Sequence, residues 1–425
     1  MTRKTKRILA VLAVIAAVAA TVLFLSFTQE KDIRQPVVAA YSVEDAQFRR
    51  SVNVLLGPAL IAGNRVETLL NGDQIFPPML EAIRSAKKTI TFETYIYWSG
   101  DVGKAFADAL TERARNGVKV HILLDWVGSQ KMDEQYLRQM TEAGAEIRKY
   151  HPPRWYNLNK LNNRTHRKIL VVDGLVGFTG GVGIADEWSG NAQDPNHWRD
   201  THYRVAGPAV AQMQAAFADN WTKVSGLVLH GEPYFPAIEP AGEHLAQMFM
   251  SSVEGGAESM HLMYLLSVAA ARKSIDLSMA YFVPDKLASD ALVAALKRGV
   301  KIRIITPGKS TDVALVRSAG RSTWGPFLQN GAEIYEYEPT MFHSKVLVVD
   351  GVWVSVGSTN FDTRSFKLND EANLNVFDRD FARRQLADFE NDLKRARRVT
   401  YQEWADRPLK EKLMDRFMSF FNSQL

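Results

Sequence analysis

The chain has 425 residues, 46% of them hydrophobic and 23% charged, which is enough for two globular domains and excludes a chain that is disordered by composition. It contains no cysteine, so disulfide frameworks, thiolate zinc sites and cysteine nucleophiles are excluded. The net charge is +5, of which Arg3, Lys4, Lys6, Arg7 and Glu30 together contribute +3, leaving +2 for the body. Such a body does not indicate the concentrated positive face of a nucleic-acid-binding protein, and no nucleic acid is expected as a partner.

An uncharged run of twenty residues, 8–27, follows the basic N-terminus. At 1.5 Å per residue it would form a helix of about 30 Å, which matches the core of a bilayer. Residues 1–30 are therefore expected to be a membrane anchor, although a signal peptide shares the basic start and the apolar stretch. The positive charges before the run predict a cytoplasmic N-terminus and a body on the other side of the membrane.

From about residue 55 the sequence repeats itself in the same order, as strands alternating with amphipathic helices. The repeated strings lie at 87–92, 117–122 and 144–147 and return at 272–277, 299–304 and 331–334. The alternation predicts two α/β domains, each with a mixed, largely parallel sheet covered by helices. The domains are expected at 55–228 and 246–400, joined by a linker at 229–245 that is rich in Pro, Gly and Glu.

A fourth repeated string carries candidate chemistry. It consists of a histidine, a lysine two residues later, an aspartate before a glycine, and a pair of small residues. The two copies, offset by 177 residues throughout, are His166, Lys168, Asp173 and Gly181 in the first half and His343, Lys345, Asp350 and Ser358 in the second.

The spacing of this motif predicts its geometry. A histidine and a lysine two residues apart on a strand leave the same face, and Asp-Gly between apolar runs indicates a two-residue hairpin. If the halves pack about a pseudo-twofold axis, both pairs meet in one cleft. Lysine charge and the backbone amides of Gly181 and Ser358 would hold an anion there. Asp173 and Asp350 suit the turn itself, so a structural role is as open as a catalytic one.

The paired motif resembles that of the phospholipase D superfamily, and longer strings resemble its bacterial cardiolipin synthase branch. The resemblance covers about residues 55 to 400, and the strings that carry it lie at 92–100, 123–129, 179–187, 198–202 and 360–366. It implies two α/β/α domains of phospholipase D type. It also implies a phosphodiester exchange through a phosphohistidine that needs no metal and no cofactor.

The resemblance also implies roles for individual residues. His166 would be the nucleophile and His343 the general acid, while Lys168, Lys345 and Asn360 would hold the phosphate oxygens. Each histidine would be oriented by a carboxylate that follows it in the chain. Asp200 and Glu371, which lie 34 and 28 residues past their histidines, fit that place.

The first half departs from the family pattern at one position. Where the family carries a second asparagine, opposite Asn360, this chain has Gly183. Losing a hydrogen bond to a charged phosphate could weaken binding by about 1.5–3 kcal/mol unless another donor replaces it. Asn162 and Asn163 are candidates for that replacement.

Three other features have two interpretations each. Glu93 either faces the cleft or supports the core. The asparagine-rich segment 151–165, which has no counterpart in the second half, either contacts a lipid headgroup or is a variable surface loop. The tail 401–425 has apolar residues at helical spacing with lysines and an arginine between them, which is typical of a helix on a membrane surface or of one packed against the body.

The implied function is that of a phosphatidyltransferase in the bacterial inner membrane. It would convert two phosphatidylglycerols into cardiolipin and glycerol, with phosphatidylethanolamine as an alternative second lipid. Water as the acceptor would make the same site a phospholipase D. A nuclease on this scaffold is disfavoured by the nearly neutral body, and a lipid-binding protein with a dead site is supported only by Gly183.

Overall fold

The computed structural model describes residues 33–153, 162–252 and 258–419, together with 3–5, 7 and 12. The chain divides into two compact units, Met1–Ile33 and Arg34–Leu425, and the second unit contains the sheet and the candidate site. Within the described ranges, no helix combines the length and apolarity needed to cross a bilayer. Of the expected anchor 1–30, all but residues 3–5, 7 and 12 lies outside those ranges.

Helices and strands alternate along the described part of the second unit. The helices are α1 (Ala46–Leu55), α2 (Asn71–Ser85), α3 (Asp101–Arg115), α4 (Glu134–Glu142), α5 (Ala209–Ser225), α6 (Ser259–Ala270), α7 (Lys286–Lys297), α8 (Ala314–Gln329), α9 (Thr363–Lys367), α10 (Arg379–Leu393), α11 (Tyr401–Ala405) and α12 (Leu409–Ser419). The strands are β1 (Ile61–Leu70), β2 (Thr89–Thr94), β3 (Lys119–Asp125), β4 (Glu146–Tyr150), β5 (Arg164–Thr165), β6 (Ile169–Val172), β7 (Val176–Gly180), β8 (Thr201–Ala206), β9 (His244–Met250), β10 (Ser274–Met279), β11 (Phe282–Val283), β12 (Lys301–Pro307), β13 (Glu333–Tyr337), β14 (Lys345–Val349), β15 (Trp353–Gly357), β16 (Phe361–Asp362), β17 (Asn369–Asp370), β18 (Ala372–Phe377) and β19 (Ala396–Val399).

Fifteen of these strands form one continuous sheet, in the order β19-β13-β12-β10-β14-β15-β18-β9-β1-β8-β7-β6-β2-β3-β4. The antiparallel pair β1–β9 joins the halves. Outward from that pair, β8-β7-β6-β2-β3-β4 in the first half matches β18-β15-β14-β10-β12-β13 in the second, and β19 is added at one edge. The strand order therefore repeats on both sides of the join, as the internal sequence repeat predicts. The predicted linker 229–245 follows α5 and extends over the first two residues of β9, which begins at His244.

The expectation that the sheets are largely parallel is wrong. Of the fourteen adjacent pairs, only β2–β3, β3–β4, β10–β12 and β12–β13 are parallel, and the other ten are antiparallel. Helical crossovers, which parallel pairing requires, join only the strands from β2 to β4 and from β10 to β13. The rest of each half is built from hairpins and long returns, which pair antiparallel strands.

Helices cover both faces of the sheet, and one core crosses the join. Strand β3 is buried on both faces, so Ile122 packs towards α2 and α3 while its neighbour Leu123 packs towards α5. A second cluster unites strands of both halves beneath α5 and α10, with Val171 and Val348 from the two motif strands and Met213 from α5. Because the halves share this core, the ends of β6 and β14 are held in a fixed relation.

Candidate active site

The main chain of each histidine is held by the other half of the molecule. Short strand β5 pairs in parallel with β17, and the His166 N–H donates to the Asp370 carbonyl at 2.9 Å. In the same way the His343 N–H donates to the Arg199 carbonyl at 2.7 Å. These contacts place both histidines at the seam between the halves. His166 lies just before β6, and His343 lies just before β14, which begins at Lys345.

The orienting carboxylates are exchanged between the halves. Nδ1 of His166 lies 3.0 Å from both carboxylate oxygens of Glu371, which belongs to the second half. Nδ1 of His343 lies 2.7 Å from Oδ2 of Asp200, which belongs to the first. The expected pairing of each carboxylate with the preceding histidine of its own half is therefore wrong, although the two residues are the expected ones. Since the carboxylates accept from Nδ1–H, each Nε2 keeps its lone pair.

Both carboxylates are themselves supported. The hydroxyl of Ser358 donates to Glu371 Oε2 at 2.5 Å, and the indole N–H of Trp188 donates to Asp200 Oδ2 at 2.8 Å. At Gly181, the counterpart of Ser358, a Cβ atom would lie 2.1 Å from Asp200 Oδ1. A glycine is required at that position because the carboxylate fills the space of a side chain.

This arrangement corrects the expected substrate-binding role of Gly181 and Ser358. The N–H of Gly181 donates to the Thr201 carbonyl, and that of Ser358 donates to the Ala372 carbonyl, both at 3.1 Å. These amides continue the pairing of the neighbouring strands, so they are not available to an anion. The two small residues hold the carboxylates in place instead.

Both histidines line one cavity of about 550 Å³. The ring of Tyr95 lies edge-on to His166 with centroids 5.3 Å apart, and the ring of Trp188 lies edge-on to His343 at the same distance. The wall is largely aromatic and aliphatic, with polar groups from both motifs. Its residues include Lys168, Asn360, Arg164 and Arg364 among the polar ones and Ile96, Trp98, Trp198, Tyr281, Val313 and Val316 among the apolar ones.

Burial is the main reason that both imidazoles have a lowered pKa. Burial lowers the pKa of His166 to about 4, although the Glu371 carboxylate acts in the opposite direction. Burial and the Lys345 ammonium lower the pKa of His343. Burial would raise the pKa of Glu371 and Asp200, but the neighbouring histidine and lysine outweigh it, so both carboxylates have a lowered pKa and stay ionised.

The two lysines are also buried, and each contacts the main chain of its motif histidine. Lys168 Nζ donates to the His166 carbonyl at 2.8 Å, and Lys345 Nζ donates to the His343 carbonyl at 2.5 Å. Burial lowers the pKa of Lys168 to about 7 and that of Lys345 to about 8, against the opposing effects of Glu371 and Asp200. An anion bound beside these lysines would favour their charged form.

The family described as "Cardiolipin synthase, PLD-like domain" matches residues 79–221 and 265–393, so each matched segment contains one of the two histidines. The chain belongs to this family. Cardiolipin synthase 2 of Bacillus anthracis is 34% identical over 396 residues, which is 92% of this chain and 76% of the relative. The major cardiolipin synthase of Bacillus subtilis is 34% identical over 349 residues, 81% of this chain and 72% of the relative. The phosphatidylserine synthase of Haemophilus influenzae has the same fold, with a TM-score of 0.66 at 14% identity over 89% of this chain and 99% of that one.

The structure explains why this member of the cardiolipin synthase family has a glycine opposite Asn360. A Cβ atom at Gly183 would lie 2.7 Å from Cβ of Ile96 and 3.1 Å from the Trp188 ring. Both neighbours line the cavity, so their side chains occupy the space that an asparagine would need. Asn162, a suggested replacement, instead accepts from the Arg364 guanidinium through its side-chain oxygen at 2.6 Å.

The aspartates of the family motif lie in the hairpins, away from the histidines. Asp173 has φ 54° and Gly174 φ 66°, as the two-residue turn requires, and Asp350 has φ 52°. The Asp173 carboxylate accepts from the amides of residues 87, 88 and 89 at 2.7–2.9 Å, and Asp350 accepts from those of 272, 273 and 274 at the same distances. The structure therefore contradicts a catalytic role for both aspartates and gives them the structural role.

Glu93 supports the interior. It is fully buried, accepts from Thr165 Oγ1 at 2.5 Å and from Asn220 Nδ2 at 2.8 Å, and does not line the cavity. Burial raises the pKa of Glu93 to about 7, although Arg167 acts in the opposite direction.

Sequence reasoning missed the roles of two residues that lie close to the orienting carboxylate Asp200. Arg199 binds Asp392 of α10 through two contacts of 2.9 and 2.8 Å, which fixes the segment just before β8 that contains Asp200. Trp188 donates to that same carboxylate. Their nearness to Asp200 in the sequence was a signal, but Asp392, the partner of Arg199, lies 193 residues further along the chain. Residues 154–161 of the asparagine-rich segment lie outside the described residues.

Proposed function

We propose that this protein is a phosphatidyltransferase that joins two phosphatidylglycerols into cardiolipin and releases glycerol. The observation that carries the proposal is the single cavity lined by His166 and His343, each with its Nδ1 held by a carboxylate of the other half. Two imidazoles that face one cavity suit an exchange in which the neutral one attacks phosphorus and the other, in its protonated form, supplies the first proton.

In the first step, Nε2 of His166 attacks the phosphorus of one phosphatidylglycerol. The bound anionic phosphate favours the protonated form of His343, whose charge Asp200 stabilises. As the bond from phosphorus to the glycerol oxygen breaks, protonated His343 gives that oxygen its Nε2 proton and becomes neutral. In the second step, His343 takes the proton from a hydroxyl of the second phosphatidylglycerol. That oxygen attacks phosphorus, the bond to His166 breaks, and cardiolipin forms. Glu371 stabilises the positive charge on the phosphorylated ring, and Asp200 does the same for protonated His343.

Three side chains are proposed to hold the phosphate oxygens: Lys168, Lys345 and Asn360. Each ammonium group bonds to the carbonyl of its motif histidine, and Lys168 lines the cavity whereas Lys345 is not among the lining residues. Asn360 lines the cavity, and its position is fixed by a hydrogen bond from its N–H to Ser365 Oγ at 3.2 Å. Charged donors of this kind stabilise the negative charge that develops on the oxygens in the transition state.

The wall of the cavity favours a lipid over water as the acceptor. Aromatic and aliphatic side chains surround the histidines, and exclusion of water protects a phosphohistidine from hydrolysis. Arg164 and Arg364 line the same cavity as His166. A guanidinium can bind the phosphate of a second anionic lipid, whereas it does not improve the binding of water as the acceptor.

The deciding experiment uses the full-length protein with phosphatidylglycerol in mixed micelles. The expected products are cardiolipin and one glycerol for each cardiolipin, and His166→Ala abolishes both. His202→Ala, a buried histidine outside the cavity, controls for general damage to the fold. Phosphatidic acid as the only lipid product would reject the transferase in favour of a hydrolase. Labelled phosphatidylethanolamine added to the same assay identifies the second lipid.

We further propose that the run at 8–27 attaches the protein to the bacterial inner membrane with the body on the non-cytoplasmic side. Its length, its lack of charge and the basic residues before it support this topology. An alkaline phosphatase fused after residue 425 is expected to be active, and an inactive fusion at equal expression would reverse the orientation.

A further inference from the structure

Helix α12 (Leu409–Ser419) packs against α8 through its acidic residues. Glu411 forms an ion pair with Arg321 of α8 at 3.0 Å, and the buried Asp415 forms one with Arg407 at 2.9 Å. The indole N–H of Trp404 also donates to the Arg321 carbonyl at 2.7 Å, which ties the preceding helix to the same point. Glu411 therefore faces an arginine of α8, and Asp415 faces the arginine that precedes α12.

The outer face of α12 has the opposite composition. Leu409, Leu413 and Met414 are 71%, 61% and 46% exposed, and Lys410 and Lys412 between them are exposed as well. No acidic side chain interrupts this face over residues 409–414, because Glu411 is turned towards Arg321. Three aliphatic side chains and two lysines thus share one solvent-exposed surface, which we call the α12 face.

We propose that the α12 face docks on an anionic phospholipid bilayer. Aliphatic side chains would enter the region between headgroups and acyl chains while the lysines contact the lipid phosphates, the combination typical of helices that lie in a membrane surface. The inward ion pairs hold the helix against the body, so docking would fix the orientation of the whole second unit. The inference rests on the proposed function in one respect only, which is that phospholipid is the molecule that contacts the α12 face.

A second region of exposed aliphatic residues supports this orientation. Val313 and Leu315, at the start of α8, are exposed, and Val313 also lines the active-site cavity. The helix that carries the α12 face therefore packs on the helix that begins at the cavity. Docking of one would bring the other near the lipid from which substrate enters.

The absence of cysteine makes a direct test practical. The full chain with Leu413→Cys carries an environment-sensitive fluorophore and is reconstituted in vesicles of phosphatidylglycerol and phosphatidylcholine. We expect a blue-shifted emission that spin-labelled acyl chains quench. Leu227→Cys, at a loop position that is 52% exposed, is the matched control and should show neither effect. Equal behaviour of the two labels would overturn the proposal.

Charge provides the second arm of the test. The double variant Lys410→Gln/Lys412→Gln should lower the equilibrium constant for insertion of the label about fivefold for each lysine. For the native sequence, vesicles of phosphatidylcholine alone should lower this constant to a similar extent. Quenching that is the same with and without phosphatidylglycerol would reject the anionic surface, and self-quenching that depends on protein concentration would indicate a second copy instead.

The outcome is separable from the catalytic proposal. Insertion is measured equally well in inactive His166→Ala, so docking without cardiolipin formation would reject only the enzyme. Cardiolipin formation in micelles without insertion in vesicles would reject only the docking.

Discussion

The exchange of carboxylates between the halves gives the sharpest test of the site. Glu371→Gln and Asp200→Asn keep the shape of each side chain and remove its charge. Because Glu371 contacts His166 and Asp200 contacts His343, each variant should reproduce the defect of the histidine that it contacts in space. If the carboxylates served the histidines of their own halves, the two defects would be interchanged.

The size of the effect follows from the geometry. A hydrogen bond to a charged group contributes about 1.5–3 kcal/mol, which corresponds to a loss of about 10- to 150-fold in rate. Glu371 is completely buried and has both oxygens 3.0 Å from His166 Nδ1, and Asp200 is completely buried at 2.7 Å from His343. Burial makes each contact stronger than it would be in water, so we expect losses of about 100-fold in kcat/KM for both variants.

The assay distinguishes the two steps by the leaving group. A phosphatidyl ester of p-nitrophenol needs no proton from His343, so the burst of nitrophenolate reports attack by His166 alone. With this substrate Asp200→Asn should recover to within about tenfold of the native burst rate, as His343→Ala should. Glu371→Gln should remain impaired, as His166→Ala should.

The histidine variants serve as the internal reference, so the result does not depend on which histidine is the nucleophile. The reasoning is refuted if Glu371→Gln follows His343→Ala or Asp200→Asn follows His166→Ala. Trp188→Phe removes one donor to Asp200 and keeps the charge, so it provides a milder variant if Asp200→Asn folds poorly.

Asp173→Ala should lower the free energy of unfolding by about 1–3 kcal/mol in denaturant titrations, because the carboxylate accepts three hydrogen bonds from backbone amides. The folded fraction should keep its kcat. A loss of kcat at unchanged stability would restore the catalytic role. Gly183→Asn should lower the melting temperature without raising activity, since its Cβ meets Ile96 at 2.7 Å; a more active variant of unchanged stability would show that the space is available. With rising pH, kcat/KM should fall above about pH 7, where free Lys168 loses its proton and its charge. Lys168→Arg should move this limb about one pH unit higher, towards the pKa of Lys345, and an unmoved limb would assign it to another group.

Local patterns in the sequence predicted the local parts of the site. A histidine and a lysine two residues apart share a strand face because side chains alternate along a strand. Asp-Gly forms the turn because both residues tolerate positive φ, and Asp173 and Gly174 have it. The internal repeat predicted two matching sets of strands, since the same order of strands and helices closes in the same way. Each of these inferences depends on contacts between residues close in sequence.

The errors concern contacts between distant residues. The pairing of Asp200 with His343 and of Glu371 with His166 requires knowing that the halves cross at their seam, which no spacing within one half encodes. The amide of Ser358 was expected in the cleft, but a neighbouring strand accepts from it. The excess of antiparallel pairs has the same origin, because hairpins and returns outnumber the helical crossovers.

The sequence by itself determined the chemical groups, their duplication and their strand geometry, because these follow from residue type and from the period of a strand. Only the tertiary structure decided that both histidines line one cavity and that each is oriented by the other half. It also decided that the place of a second asparagine is filled by Ile96 and Trp188. The physical reason is that packing between surfaces far apart in the chain sets these distances.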